Sequence, residues 1–100
     1  MSTGAIDSTI VEVCAAFGLA APVAAGRVAA GYLNRDEVVE LADGRCFFLK
    51  GSRHADPRVV EAEHAVIRHA AGRGLPTPLP LRASDGRSVV VAGGVPWSAF

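Results

Sequence analysis

The sequence predicts an α+β domain: a mostly antiparallel five-stranded sheet, one helix packed against it and a short N-terminal helix. Three observations lead to this fold class. Apolar residues recur every three or four positions in residues 6–17 and 57–71, which is the period of a helix. They alternate or cluster in short runs between residues 27 and 50 and again after residue 79, as in strands. The order of these elements, helix, three strands, helix and then further strands, favours an α+β domain with a mostly antiparallel sheet.

Composition is that of an ordered domain and argues against two classes of partner. Half of the 100 residues are apolar, and 10 Lys and Arg balance 10 Asp and Glu, so the formal net charge is zero. The basic residues form no stripe, which argues against nucleic acid. The longest apolar stretch, residues 15–25, is too short for a bilayer and is broken by Gly18 and Pro22, and the first residues do not have the pattern expected of a secretory signal. We therefore expect a cytoplasmic protein with no membrane partner.

The cysteines and histidines show no metal-binding pattern. Cys14 and Cys46 are far apart in the chain and lack Cys-x-x-Cys spacing, so we interpret both as apolar core residues. His64 and His69 are five residues apart, which does not place them on one helical face as zinc ligands. The sequence therefore predicts no metal ligand in this chain.

The first helix is predicted from one apolar stripe. Its members are Ile6, Ile10, Val13 and Phe17. Their spacing places them on one face of a helix over about residues 8–17. Thr9 and Glu12 have the spacing of a capping box, and Gly18 stands where the helix would stop. Because the following residues carry no pattern, residues 1–26 are interpreted as this helix and a connector.

The next segment predicts a three-stranded meander. Its strands are expected at residues 27–30, 37–41 and 45–50. Asp43 and Gly44 join the second and third strands, and Asp-Gly between apolar runs predicts a type I′ turn with positive φ at both residues. The turn between the first two strands, residues 31–36, is longer than a tight hairpin needs.

A second helix and further strands complete the pattern. Asp56 as N-cap, followed by Pro57 in the first turn, predicts a helix that ends near Gly72. Two short strands are expected after it, at residues 79–83 and 87–92, and residues 95–100 are expected to start a further one. Residues 27–100 are therefore interpreted as one domain.

The second helix carries a carboxylate on its predicted core face. The apolar members of that face are Val59, Val60, Val66, Ile67 and Ala70. Glu63 falls among them, whereas Glu61 shares the opposite face with Arg58 and Arg68. Because an ionised carboxylate is not buried without a partner, a cation should lie nearby. Lys50, which ends an apolar predicted strand, is the best candidate.

The long turn adds a possible phosphate contact. Gly31 and Asn34 provide a flexible turn with a side-chain amide, which is suited to lie over phosphates. Flexible turn, hairpin, strand-end lysine and helix with an inward glutamate follow one another as in the nucleotide grip of protein-kinase-like folds. The alternative for Lys50 and Glu63 is a structural ion pair at the rim of the sheet.

Four segments resemble the N-terminal lobe of the aminoglycoside phosphotransferase, choline kinase and homoserine kinase superfamily. They are Gly31-Tyr32-Leu33-Asn34, Phe48-Leu49-Lys50, Glu63 with Ala65-Val66-Ile67-Arg68, and Gly72-Arg73-Gly74-Leu75-Pro76-Thr77-Pro78. The resemblance covers about residues 17–100, and its most specific part is the passage from the helix into the Gly-Leu-Pro-x-Pro loop. It implies a protein-kinase-like N-lobe.

The resemblance implies ATP as the cofactor and a role for each matching residue. The glycine and asparagine of the turn would cover the triphosphate, and the strand lysine would contact its phosphates. The helix glutamate would pair with that lysine, and one valine and one phenylalanine would face the adenine. The nucleotide-binding residues implied in this way are Gly31, Asn34, Val39, Phe48, Lys50 and Glu63.

The chain departs from the family pattern in two ways. Glu37 stands where relatives often carry an aromatic residue, and a carboxylate beside phosphates would weaken their binding. The family's catalytic loop and its metal-binding Asp belong to a C-terminal lobe. We therefore expect no catalytic residue here, ligands for Mg²⁺ outside this chain, and no activity of these residues alone.

Two functional hypotheses follow. The first is the ATP-binding lobe of a phosphotransferase, whose partners are a nucleotide and, through the other lobe, a small-molecule hydroxyl acceptor of open identity. The alternative is a non-catalytic binding module, or the product of a truncated reading frame, with no enzymatic role. Residues 94–100, expected at an open edge of the sheet, also predict self-association.

Overall fold

The computed structural model describes residues 6–28 and 34–100 of the chain. The elements, in chain order, are α1 (Ser8–Ala16), β1 (Pro22–Val28), β2 (Asn34–Leu41), β3 (Cys46–Ser52), α2 (Pro57–Gly72), β4 (Val90–Ala92) and β5 (Val95–Ala99). The strands form one antiparallel sheet in the order β1-β2-β3-β5-β4. The predicted α+β class, with a five-stranded antiparallel sheet and two helices, is confirmed. Neither described helix is long and apolar enough to cross a membrane.

Helix α1 is capped by a residue that precedes the predicted capping box. The Asp7 carboxylate accepts a hydrogen bond from the backbone N–H of Thr9 at 2.7 Å, which satisfies one of the N–H groups that a helix start leaves unpaired. Thr9 is therefore not the N-cap. At the other end, Gly18 has φ +71°, which glycine adopts without strain, and the helix ends there as predicted.

Strand β1 begins five residues before its predicted start. Residues 22–26, expected to be a connector, pair with β2, and the register shifts between Pro22 and Ala24. Pro22 is tolerated because β1 is an edge strand. The centre of this strand is Ala24-Ala25-Gly26, so the sequence shows almost no alternation of apolar and polar residues there.

Strand β5 lies inside the sheet, between β3 and β4. Phe100 continues its pairing, because its backbone N–H and C=O bond with those of Phe48 at 2.9 and 3.0 Å. The prediction of an open edge at residues 94–100 is therefore wrong, and the edges are β1 and β4. Residues 79–83 form no strand, and only residues 90–92 of the predicted strand 87–92 do.

The turn between β2 and β3 is not type I′. Gly44 has φ +88°, but His54 is the only non-glycine residue with positive φ in the described part of the chain, so Asp43 is not left-handed. The Gly44 N–H donates to the Leu41 carbonyl at 2.9 Å, and the Leu41 N–H donates to the Arg45 carbonyl at 2.8 Å. This is a three-residue loop with a left-handed glycine at its end, the next most common hairpin connection.

The two faces of the sheet are covered by different helices. Directly opposed residues share a face. One face contributes Val39, Leu41, Leu49, Trp97 and Ala99 to a core that also contains Ile10, Val13, Cys14 and Phe17 of the α1 region. The other face carries Phe48, Lys50 and Ser98 and lies against α2, because Ser98 contacts His64 of that helix. The predicted site residues must therefore be assigned to one face or the other.

Candidate functional site

Lys50 lies on β3, near the middle of the sheet. Its half-buried side chain is on the α2 face, and it is the only lysine of the chain. Asp36 on β2 and Ser98 on β5 are its direct neighbours across the strands. None of the ion pairs in the described part of the chain includes Lys50. Its ammonium group is therefore available to an anion.

An apolar groove adjoins Lys50, between the sheet, α2 and the loop that follows α2. Its cavity volume is about 330 Å³, and its lining residues are Phe48, Lys50, Ile67, Thr77, Pro78 and Phe100. Two aromatic rings and an aliphatic side chain can contact a flat apolar group, and the one ammonium can hold an anionic group attached to it. The groove thus suits a ligand with an apolar body and a negative end.

Two of the predicted nucleotide-binding residues, Phe48 and Lys50, meet in this groove. Val39 does not join them, since it is fully buried on the α1 face, opposite Phe47. Val38 is the residue opposite Phe48. A shift of one residue moves a strand side chain to the other face, which is why the placement of Val39 toward the adenine disagrees with the structure.

The predicted phosphate-binding turn is only partly described. Asn34 is the first residue of β2 and pairs with Ser52, so its side chain shares the face of Lys50. Gly31 lies outside the described residues. Asn34 is thus part of a strand rather than of a loop.

Glu63 is exposed and forms no ion pair with Lys50. The predicted wheel was wrong about the inner face of α2: Val59 and Val66 are 53% and 68% exposed, and the buried residues are Val60 and His64. Grouping the apolar residues misplaced the inner face, because hydrogen bonds as well as apolar contacts attach α2 to the sheet.

Glu61, assigned from sequence to the solvated face, is half-buried and makes three hydrogen bonds. Its Oε1 accepts from the backbone N–H groups of Ser88 and Val89, both at 2.9 Å. Its Oε2 accepts from the Ser88 hydroxyl, also at 2.9 Å. Burial alone would raise its pKa, but these bonds from Ser88 and Val89 outweigh it and hold the pKa of Glu61 below its ordinary value. The carboxylate is therefore ionised and fastens α2 to the segment before β4.

His64, one turn further along α2, is buried between two serines. Its Nδ1 lies 2.7 Å from Ser88 Oγ, and its Nε2 lies 3.1 Å from Ser98 Oγ. Burial is the main reason why the pKa of His64 falls below its ordinary value of 6.5. We name the hydrogen-bonded set Glu61, Ser88, His64 and Ser98 the α2 network. It joins the helix to both β5 and the segment before β4.

Sequence reasoning missed the α2 network. A signal for part of it existed, because Glu61 and His64 are three residues apart and so lie on one helical face. The serines come from segments 24 and 34 residues away from His64, and no local pattern announces them.

Glu37, predicted to weaken phosphate binding, points away from the groove. It lies opposite Leu49, on the α1 face, where it is buried. Arg35 donates to it at 3.0 Å and to Asp7 at 3.1 Å, and the Arg35 guanidinium lies 5.6 Å from the Trp97 ring centroid. Glu37 therefore neutralises a half-buried arginine and does not face Lys50.

A larger cavity, of about 610 Å³, lies on the other side of Glu61. Its lining residues are Pro57, Arg58, Glu61, Asp85, Arg87, Val89, Val90 and Val91. The two arginine side chains are mostly exposed, and each has an aspartate partner two residues away, at 3.0 and 3.9 Å. This pocket therefore offers no unpaired cation, in contrast to the groove at Lys50.

Within residues 6–28 and 34–100, no three His, Cys, Asp or Glu side chains are grouped so that they could hold a metal ion. The candidate site is the Lys50 groove together with the α2 network beside it.

In the comparisons with known proteins, neither a family model nor a curated protein matches this sequence.

Proposed function

We propose that this chain is the ATP-binding lobe of a phosphotransferase that passes the γ-phosphoryl group of ATP to a hydroxyl group of a small molecule. The observation that carries the proposal is the position of Lys50. The only lysine of the chain lies on the third strand of the sheet, immediately before a helix, and its ammonium, which forms no ion pair within residues 6–28 and 34–100, is beside an aromatic groove. In protein kinases a lysine on the third strand contacts the ATP phosphates.

The groove offers contacts for the base and for a phosphate of a nucleotide. Phe48 and Phe100 can stack on a base or contact it edge to face, and Ile67 and Pro78 can exclude water from it. Lys50 can hold a phosphate as a point charge. Binding of this kind orients the nucleotide, which is the main contribution that a protein makes to phosphoryl transfer.

The lysine–glutamate pair of the kinase pattern is not formed. Glu63 points to solvent, so Lys50 would contact phosphate without support from that carboxylate. Mg²⁺ would neutralise phosphate charge in such a reaction. We propose that the ligands of Mg²⁺ and the catalytic residues belong to a lobe outside these residues.

One observation favours the second candidate, a non-catalytic module. Asp36 is the direct cross-strand neighbour of Lys50, and opposite charges at such positions stabilise a sheet. In that case Lys50 would serve the fold, and the groove would bind no nucleotide.

Labelling with periodate-oxidised ATP distinguishes the two candidates. Its ribose dialdehyde forms a Schiff base with an amine, and borohydride makes the bond permanent. Lys50 is the only side-chain amine, so peptide mapping separates its product from that of the N-terminus. We expect label on Lys50, and we expect ATP with Mg²⁺ to prevent it.

Affinity for a fluorescent ATP analogue provides the matched control. Lys50→Met should weaken binding by about tenfold or more, since a charge-assisted contact is worth about 1.5–3 kcal/mol. Arg53→Met removes an exposed cation just beyond β3 and should leave affinity unchanged. Equal affinities of the two variants, or labelling that ATP does not prevent, would overturn the proposed function.

A further inference from the structure

The α2 network has only one arrangement of protons that satisfies all of its members. Ionised Glu61 can only accept, so the Ser88 hydroxyl donates its proton to Glu61 Oε2. Ser88 Oγ must then accept from His64, which places a proton on Nδ1. In the neutral ring Nε2 is an acceptor, so the Ser98 hydroxyl donates to it.

Ser98, at the end of the α2 network, adjoins the groove. Ser98 is the cross-strand neighbour of Lys50 on the same face. The His64 ring also packs edge to face on Phe100, with centroids 6.0 Å apart and an interplanar angle of 81°. His64 thus contacts the side chain of one groove residue and the strand neighbour of another.

We propose that His64 is a positioning residue that keeps the Lys50 groove in its binding shape only while its ring is neutral. The ligand in this statement is the nucleotide of the proposed function, whereas the coupling between His64 and Phe100 does not depend on that function. A second proton on His64 would have to enter at Nε2, where the Ser98 hydroxyl already donates. Ser98 would have to turn its own proton away, inside a site where both residues are buried.

The charges around His64 do not remove this conflict. Burial disfavours the charged ring most, and Arg68 on α2 and Lys50 on β3 add to that effect. Glu61 and Glu63, both on α2, act in the opposite direction. The segment before β4 and strand β5 contribute uncharged serines.

The sign of the pH effect follows from the direction of this shift. The unfolded chain binds a proton on this histidine near pH 6.5, and the folded chain binds it only at lower pH. The contribution of His64 to stability is therefore complete above pH 6.5 and is lost as the pH falls toward the folded-state pKa. For one proton, the ratio of folded to unfolded protein falls by up to about tenfold per pH unit.

The test combines two NMR spectra of the chain that keeps His64, the second recorded after incorporation of fluorophenylalanine. Nitrogen–proton NMR spectra of the imidazoles should show His64 as the Nδ1–H tautomer, with a titration midpoint below its ordinary value of 6.5. Fluorine NMR on chains containing fluorophenylalanine should show the Phe100 signal changing at the His64 midpoint, while buried Phe17 does not change with it. An Nε2–H tautomer, or a Phe100 signal that does not change at the His64 midpoint, would overturn the proposal.

Two variants add readouts that a merely structural histidine would not change. His64→Asn keeps an N–H donor near the Nδ1 position and cannot titrate, so its stability should be flatter between about pH 7 and 5 than that of the parent. His69→Asn is the matched control on the same helix and should keep the parental slope. If His64→Asn does not fold, the two spectra of the chain that keeps His64 still decide.

Affinity for the fluorescent ATP analogue is the third measurement. Because phosphates themselves titrate near about pH 6, the comparison is between the parent and His64→Asn at each pH. The parent should lose more affinity than the variant as the pH falls, and an equal loss counts against the proposal. If neither binds ATP at any pH, the proposed function fails, while the coupling of His64 to Phe100 is still judged by the spectra.

Discussion

Replacing Glu61 by glutamine tests which glutamate of α2 faces inward. The structure gives Glu61 three hydrogen bonds from Ser88 and Val89 and gives Glu63 none in the described part of the chain. Glu61→Gln keeps the shape of the side chain and one acceptor oxygen. It removes the charge and turns an N–H₂ group toward the Ser88 hydroxyl, whose proton then has no acceptor there.

The loss of stability in Glu61→Gln follows from these contacts. A hydrogen bond to a charged group contributes about 1.5–3 kcal/mol, and one of the three is lost while the other two are weakened. Glu61 is half-buried, so water replaces part of what is lost. We expect the free energy of unfolding to fall by about 2 kcal/mol, which corresponds to a melting temperature lower by about 10 °C for a domain of this size.

Urea unfolding followed by tryptophan fluorescence measures this difference. Trp97 is the only tryptophan and lies in the core, so its emission reports global unfolding. Glu63→Gln is the matched control and should change stability by less than about 0.5 kcal/mol. Ser88→Ala should couple to Glu61→Gln by at least about 0.5 kcal/mol, whereas Lys50→Met and Glu63→Gln should be additive. A larger loss for Glu63→Gln would refute the reasoning, because α2 would then present Glu63 to the sheet.

Two further predictions concern packing and acid. Gly51→Ala should destabilise the fold by about 1–3 kcal/mol, because its Cβ would lie 2.9 Å from the Trp97 ring. Gly72→Ala, at the open end of α2, should instead stabilise the fold by up to about 1 kcal/mol. Comparable urea midpoints for the two variants would contradict this prediction. Because the pKa of Glu61 is lowered in the folded state, its contribution is complete above about pH 4.5 and is lost as the pH falls through the folded-state pKa, so Glu61→Gln should lose stability less steeply between about pH 5 and 3. Parallel slopes for parent and variant would contradict that assignment.

Local signals in the sequence predicted much of the secondary structure. The stripe from Ile6 to Phe17 placed α1, and Asp56 with Pro57 placed the start of α2. The hairpin at Gly44 was also found, although its turn type was wrong. These features depend on residues close together in the chain, which is why one sequence can specify them.

The candidate site was predicted only in part. Phe48 and Lys50 do share a groove, because their spacing of two puts them on one face of a strand whatever the strand contacts. Val39 and Glu63 were misplaced. The face on which Val39 lies depends on the register of its strand, and the face on which Glu63 lies depends on the rotation of its helix. A shift of one or two residues in either moves the side chain to another face.

The sequence by itself determined the fold class, the positions of the helices and the presence of one lysine beside apolar residues on a strand. Only the tertiary structure decided that β5 lies inside the sheet, that Glu61 rather than Glu63 faces inward, and that His64 is buried between Ser88 and Ser98. The physical reason is that a buried polar side chain is placed by partners that satisfy its hydrogen bonds. Here those partners come from distant segments, so their effect on α2 exists only once the sheet has assembled.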